Sequence, residues 1–225
     1  MAFTKEQIVA TLKNTGIVPL FSHDDARIVL KVVEALYKGG ARVFEFTNRR
    51  TNSFEVFKQL VAHADDFPEM ALGVGTIMDA ATTQKFIDAG ADLIVAPILK
   101  TEMAAVCHAH HKLWVPGCAT LTEIVTAKEA GAEVIKVFPG SVMGPGFVSA
   151  IMPVAPGLQL MITGGVEPAE QNLSAWFKAG ATCVGLGSQL ITNSIIQNNE
   201  WEALQDKTAE AVALVQQVKS KKAIN

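Results

Sequence analysis

The sequence predicts an α/β protein, a single (β/α)8 TIM barrel spanning residues 1–225, with an N-terminal helix and a C-terminal helical extension. Three observations carry this. A helical pattern ends four times in Gly-Ala, one polar residue and an apolar run: Gly40-Ala41-Arg42-Val43, Gly90-Ala91-Asp92-Leu93, Gly131-Ala132-Glu133-Val134 and Gly180-Ala181-Thr182-Cys183. With four further strand candidates the total is eight, spaced by about 20–27 residues, which fits single βα units. The chain is 49% apolar and 18% charged, with a mean hydropathy of +0.27, so it can bury a large core. Eight units in 225 residues match a compact barrel. A doubly wound open sheet is the alternative, because strand count alone does not show closure.

Residues 4–14 suggest a leading helix, with Thr4 as N-cap and Gln7 at the capping-box position. Gly16–Phe21 reads as a first strand. Ser22–Asp25 would cap a helix running through about Tyr37 and ending at Gly39-Gly40. Each Gly-Ala supplies a left-handed helix end and a short loop into a strand covered on both faces. Between these lie Met70–Val74, Leu113–Pro116 and Leu160–Thr163. The tail from about Asn199 to Val218 looks like an amphipathic helix closing over the barrel.

Composition excludes several partners. The net charge is −3, with no basic run beyond Lys219–Lys222, so no nucleic acid is expected. No stretch approaches the roughly 20 apolar residues of a membrane span, and Met1–Gln7 shows no signal core, so the expectation is a cytoplasmic protein with no membrane partner. Cys107, Cys118 and Cys183 lie far apart and read as buried thiols. His108, His110 and His111 cluster where a helix leads into strand five, and His108 with His111 could share its face. No cysteine or carboxylate set completes a shell there, so no metal is expected.

The chemistry concentrates at the C-terminal ends of the strands, as in barrels generally. Lys136 stands alone in the β-branched run Val134–Val137. A lysine there either snorkels to water or has a chemical task, and buried lysines lose their proton readily enough to act as amine nucleophiles. The period of two puts Phe44 and Phe46 on one face of strand two and Val43, Glu45 and Thr47 on the other. A glutamate between two phenylalanines is costly to bury unpaired, and an inward Lys136 would be its partner. Arg49 falls at the end of the same strand, and Thr76 and Pro97 at the ends of two others. Thr163-Gly164-Gly165 and Gly187-Ser188 follow strands seven and eight, where many barrels bind phosphate; helices near Pro168 and Ser188 would add their dipoles.

Glu45-Phe46-Thr47-Asn48-Arg49, Gly73-Val74-Gly75-Thr76, Lys136-Val137-Phe138-Pro139, Thr163-Gly164-Gly165-Val166 and Gly187-Ser188 resemble the 2-keto-3-deoxy-6-phosphogluconate (KDPG) / 4-hydroxy-2-oxoglutarate (KHG) aldolases. The order is the family's, over about residues 15–195. The resemblance implies a metal-independent class I aldolase without cofactor, a homotrimer acting on a small-molecule keto acid. It implies Lys136 as Schiff-base lysine and Glu45 as general acid/base. It places Arg49 and Thr76 on the pyruvyl carboxylate, Thr163 on substrate hydroxyls, Gly164, Gly165 and Ser188 on the phosphate, and Pro97 and Phe138 in the pocket wall. The substrate implied is a 2-keto-3-deoxy-6-phospho sugar acid, cleaved to pyruvate and glyceraldehyde 3-phosphate. The alternatives are 4-hydroxy-2-oxoglutarate, the galactonate epimer or an unphosphorylated acid. Asn48 stands where the family usually has leucine or phenylalanine, and Arg50 where it often has threonine. A phosphosugar isomerase or epimerase is a further alternative on this fold, and a phosphate-binding barrel without catalysis is another, though a buried Lys–Glu pair is costly for simple capture.

Overall fold

The computed structural model describes residues 3–223; Met1 and Ala2 of the leading stretch lie outside them. Nine strands among the described residues form one parallel sheet: β1 (Ile17–Phe21), β2 (Val43–Thr47), β3 (Ala71–Gly75), β4 (Leu93–Val95), β5 (Leu113–Val115), β6 (Gly117–Cys118), β7 (Ile135–Val137), β8 (Leu160–Thr163) and β9 (Cys183–Leu186). Their spatial order is β5-β4-β3-β2-β1-β9-β8-β7-β6. The two end strands are consecutive in sequence, separated only by Pro116, so the sheet closes on itself. Proline has no N–H to donate, which divides one barrel strand into two short ones. Its carbonyl still accepts from the Lys136 N–H at 2.8 Å. The run expected to end at Pro116 therefore continues to Cys118, and the eight expected strands appear as nine. Apart from β5 and β6, which run on from one another, each strand pairs with its sequence neighbours, and β1 pairs with β9. The open doubly wound sheet, which reverses strand order at a switch point, is thereby excluded.

The helices are α1 (Lys5–Thr15), α2 (Ala26–Lys38), α3 (Ser53–Ala62), α4 (Ala80–Asp88), α5 (Thr101–Ala109), α6 (Leu121–Glu129), α7 (Gly140–Ile151), α8 (Glu170–Ala179), α9 (Asn193–Asn198) and α10 (Trp201–Ala223). None is long and apolar enough to cross a membrane. The capping box at α1 forms as read, with Gln7 N–H donating to Thr4 Oγ1 at 3.2 Å and Thr4 N–H to Gln7 Oε1 at 2.9 Å. Ile8, Val9 and Leu12 of α1 pack against Val18, Val43, Leu93 and Leu113, which open or lie near the starts of their strands. So α1 closes the end of the barrel opposite the strand C-termini. The tail forms the expected C-terminal helix. It packs on α2 and α8, filling the outer ring beside β1. Lys219 Nζ fastens it to α1 by donating to the Lys13 carbonyl at 2.7 Å.

Side-chain alternation in β2 sets up the site. Phe44 and Phe46 enter the layer between sheet and helices, where Phe46 meets Phe57 at 5.9 Å between ring centroids and Phe57 meets Phe86 at 5.3 Å. Val43 joins the barrel interior, and Glu45, on its face, is 1% exposed. The same period in β7 sends Ile135 and Val137 outward, leaving Lys136 inside.

Candidate active site

The two buried charges meet. Lys136 Nζ lies 3.7 Å from Glu45 Oε1, with the residues 4% and 1% exposed. Glu45 Oε2 is buried without a hydrogen-bond partner. An orphaned buried acceptor costs about 1–3 kcal/mol, and more when charged, so the free oxygen marks a place for a group the chain itself does not supply. The carboxylate fits because β3 carries Gly75 beside it. A Cβ on that residue would fall 1.8 Å from Glu45 Oε1. Gly75→Ala is therefore expected to displace the carboxylate, costing about 1–3 kcal/mol in a urea melt and lowering turnover with it.

Above this pair opens a cavity of about 500 Å³, walled by Thr47, Arg49, Phe138 and Thr163 and by the two glycine turns. Lys136 and Glu45 sit one layer below that lining. Thr47 is two residues beyond Glu45 on the same face of β2, and the Phe138 ring centroid is 5.3 Å from Lys136 Nζ. Arg49 Nε donates to Thr76 Oγ1 at 3.3 Å. Thr76 has φ 62°, a left-handed backbone that a β-branched residue adopts only with strain. Thr76 touches Arg49 but does not itself line the cavity, nor does Pro97, whose carbonyl presses against the backbone at Gly117.

Thr163 Oγ1, in the cavity wall, is likewise buried and without a partner. Gly185 makes room for it, since a Cβ there would meet this oxygen at 2.6 Å. Gly164 and Gly165 turn the chain with φ of +92° and +71°, conformations that glycine alone adopts freely. Among the described residues, the backbone N–H groups of Gly164, Gly165 and Ser188 donate to nothing in the chain. The helix expected near Pro168 is present as α8, from Glu170, but the one expected to open at Ser188 is a correction: α9 begins only at Asn193, because Leu190 and Ile191 N–H close a turn onto the Gly187 carbonyl at 3.0 and 2.9 Å. The amides at both glycine turns therefore belong to turns.

The structure also sorts the remaining candidates. His111 is not on the α5 face, because the helix stops at Ala109 and His111 takes φ 54°. His108 Nε2 pairs with the Ala130 carbonyl at 2.9 Å and His110 Nε2 with Gln84 at 3.0 Å. No group of three metal-ligating side chains occurs among the described residues. The three thiols are buried and pushed up to about 12 by desolvation, so none is a ready nucleophile. Asp92 is buried too, with its carboxyl pushed up by burial, but it precedes β4 at the closed end and accepts from Leu72 N–H at 3.0 Å. The sequence reading passed over Leu20, Ser22, Gln189 and Asn193, all of which line the cavity. Applying the strand-end rule to β1 would have found the first two.

Fold and site together define a (β/α)8 barrel with an arginine-lined mouth above a buried amine–carboxylate pair, the equipment of an aldolase. Residues 8–207 match the sequence profile described as "KDPG and KHG aldolase", and the chain belongs to that family of lyases. A 2-dehydro-3-deoxy-6-phosphogalactonate aldolase of Escherichia coli (strain K12) is 34% identical over 189 residues, 83% of this chain and 85% of that one. A 2-dehydro-3-deoxy-phosphogluconate aldolase of Haemophilus influenzae is 26% identical over 216 residues, 96% of this chain and all of that one. The crystal structure of a 4-hydroxy-2-oxoglutarate/2-dehydro-3-deoxyphosphogluconate aldolase from TTHB1 superposes with a TM-score of 0.79 at 27% identity, covering 92% of this chain and 98% of that one.

Proposed function

We propose that this chain is a class I aldolase that cleaves 2-keto-3-deoxy-6-phosphogluconate to pyruvate and glyceraldehyde 3-phosphate. The observation that carries it is the buried Lys136–Glu45 pair at 3.7 Å with one carboxylate oxygen unclaimed. Lys136 Nζ attacks the C2 ketone and water leaves, giving an iminium. Glu45 takes the proton of the C4 hydroxyl as the C3–C4 bond breaks, its electron pair passing into the iminium. The aldehyde departs and leaves a pyruvate enamine. Glu45 returns the proton to C3, and water releases pyruvate and the free amine. The iminium is the electron acceptor, so cleavage is expected to proceed unchanged in EDTA.

The cavity supplies binding. Arg49, held by Thr76, takes the pyruvyl carboxylate, and Phe138 confines the reacting carbons. Thr163 Oγ1 meets a substrate hydroxyl, while Gly164, Gly165 and Ser188 hold the phosphate. Charge-assisted hydrogen bonds are worth about 1.5–3 kcal/mol each, so two of them favour the phosphorylated acid by about two to four orders of magnitude in kcat/KM. A coupled pyruvate assay with both C4 epimers, with and without phosphate, tests this. A phosphate gain under about tenfold would remove the phosphate site and favour a small or unphosphorylated keto acid.

A second reading, the galactonate epimer, is favoured by the 34% identity to the galactonate aldolase. Thr163, a hydroxyl rather than an apolar side chain at the substrate's flank, supports the gluconate. A homotrimer is part of the proposal, and light scattering should return three times the 24.0 kDa chain.

A further inference from the structure

Two arginines line the cavity, Arg49 and Arg50, and no carboxylate lines it. Arg49 is engaged through Nε by Thr76 on the β3 side. Arg50 is held differently. Its NH1 group pairs with Asp24 Oδ2, and Asp24 stands outside the cavity lining. Asn52 Nδ2 in turn donates to the Asp24 carbonyl at 2.8 Å, which fixes the loop that carries this acid. The pair is 42% and 56% exposed, and an ion pair so open to water contributes little to stability. It does fix a direction. The Nε and NH2 groups of Arg50 donate to nothing among the described residues. Together they form the planar edge of the guanidinium that matches two oxygens of a phosphate or carboxylate.

The geometry points to Arg50 as a specificity-determining residue that binds the terminal oxyanion of the substrate through its Nε–NH2 edge, with Asp24 positioning it from behind. The assignment rests on the aldolase reading above and deepens it. A substrate with an anion at each end meets one arginine at each: Arg49 at the pyruvyl carboxylate and Arg50 beside the glycine turns, which line the same cavity.

The measurement is the ratio of kcat/KM for phosphorylated over unphosphorylated 2-keto-3-deoxy acid. Arg50→Ala is expected to lower it about 10- to 100-fold, the worth of one charge-assisted pair. The loss should fall mainly on KM, and the inhibition constant of inorganic phosphate should rise alongside. Arg50→Lys, which keeps the charge but not the edge, should give an intermediate ratio. Asp24→Asn separates binding from fastening: it breaks the ion pair but leaves the edge, so the ratio should fall clearly less than in Arg50→Ala. If Asp24→Asn and Arg50→Ala lower the ratio alike, Arg50 is only a clamp between loops and the assignment is overturned. An unchanged ratio in Arg50→Ala overturns it as well, with the phosphate cradle left standing. A wild-type protein with no phosphate preference overturns both readings together.

Discussion

Lys136→Arg is expected to lower kcat/KM by on the order of 10^4-fold or more, and to abolish trapping of pyruvate by borohydride. Arginine is the informative replacement. It keeps a positive charge beside Glu45 and roughly fills the space, yet it does not deprotonate in proteins and cannot become an amine nucleophile. Lys136→Met gives the same chemical result less cleanly, because it strands a buried carboxylate, a loss of about 3–5 kcal/mol that could unfold the chain. In the wild-type protein, pyruvate and borohydride should leave one reduced adduct on the peptide that carries Lys136. An adduct on another lysine, or cleavage persisting in a folded Lys136→Arg protein, would remove the Schiff-base mechanism and reopen the isomerase and binding-barrel alternatives.

The features legible in the sequence were those written in short-range periods. Gly-Ala endings marked the helix-to-strand loops, and alternation in β2 separated Phe44 and Phe46 from Glu45. The inward Lys136 followed from the same period of two. Closure was not legible, because it depends on β5 and β6 pairing with opposite neighbours, and Pro116 hides that by splitting the strand. The destination of α10 was also out of reach. An amphipathic helix declares that it has a buried face but not which surface receives it, and here that surface is α2 and α8. The helix-dipole expectation at Ser188 failed for a local reason: glycine followed by polar residues suits a helix start and a tight turn equally, and the carbonyl of Gly187 chose the turn. The role of Asp24 was invisible because its contact to Arg50 joins two loops 26 residues apart.

Glu45→Gln is the second large effect expected, a fall in kcat of about 10²- to 10⁴-fold, the range of a lost general acid/base. The substitution preserves size and keeps an oxygen near Lys136, so the carboxylate's proton chemistry is what it removes. Gly75 leaves no room for a larger change at this position, since any shift of the carboxyl toward β3 meets backbone. The prediction separates two steps that Lys136 joins. Iminium formation needs the amine, so borohydride should still trap pyruvate on Lys136 in the variant, though more slowly. Proton transfer at C3 needs Glu45, so exchange of the pyruvate methyl protons with deuterium oxide, followed by NMR, should slow by a factor similar to cleavage. Wild-type exchange rates in Glu45→Gln would show that another group, such as a water held in the cavity, moves the proton. Glu45 would then be left as the buried counter-charge of Lys136, and its unpaired Oε2 would no longer mark the seat of the substrate's C4 hydroxyl.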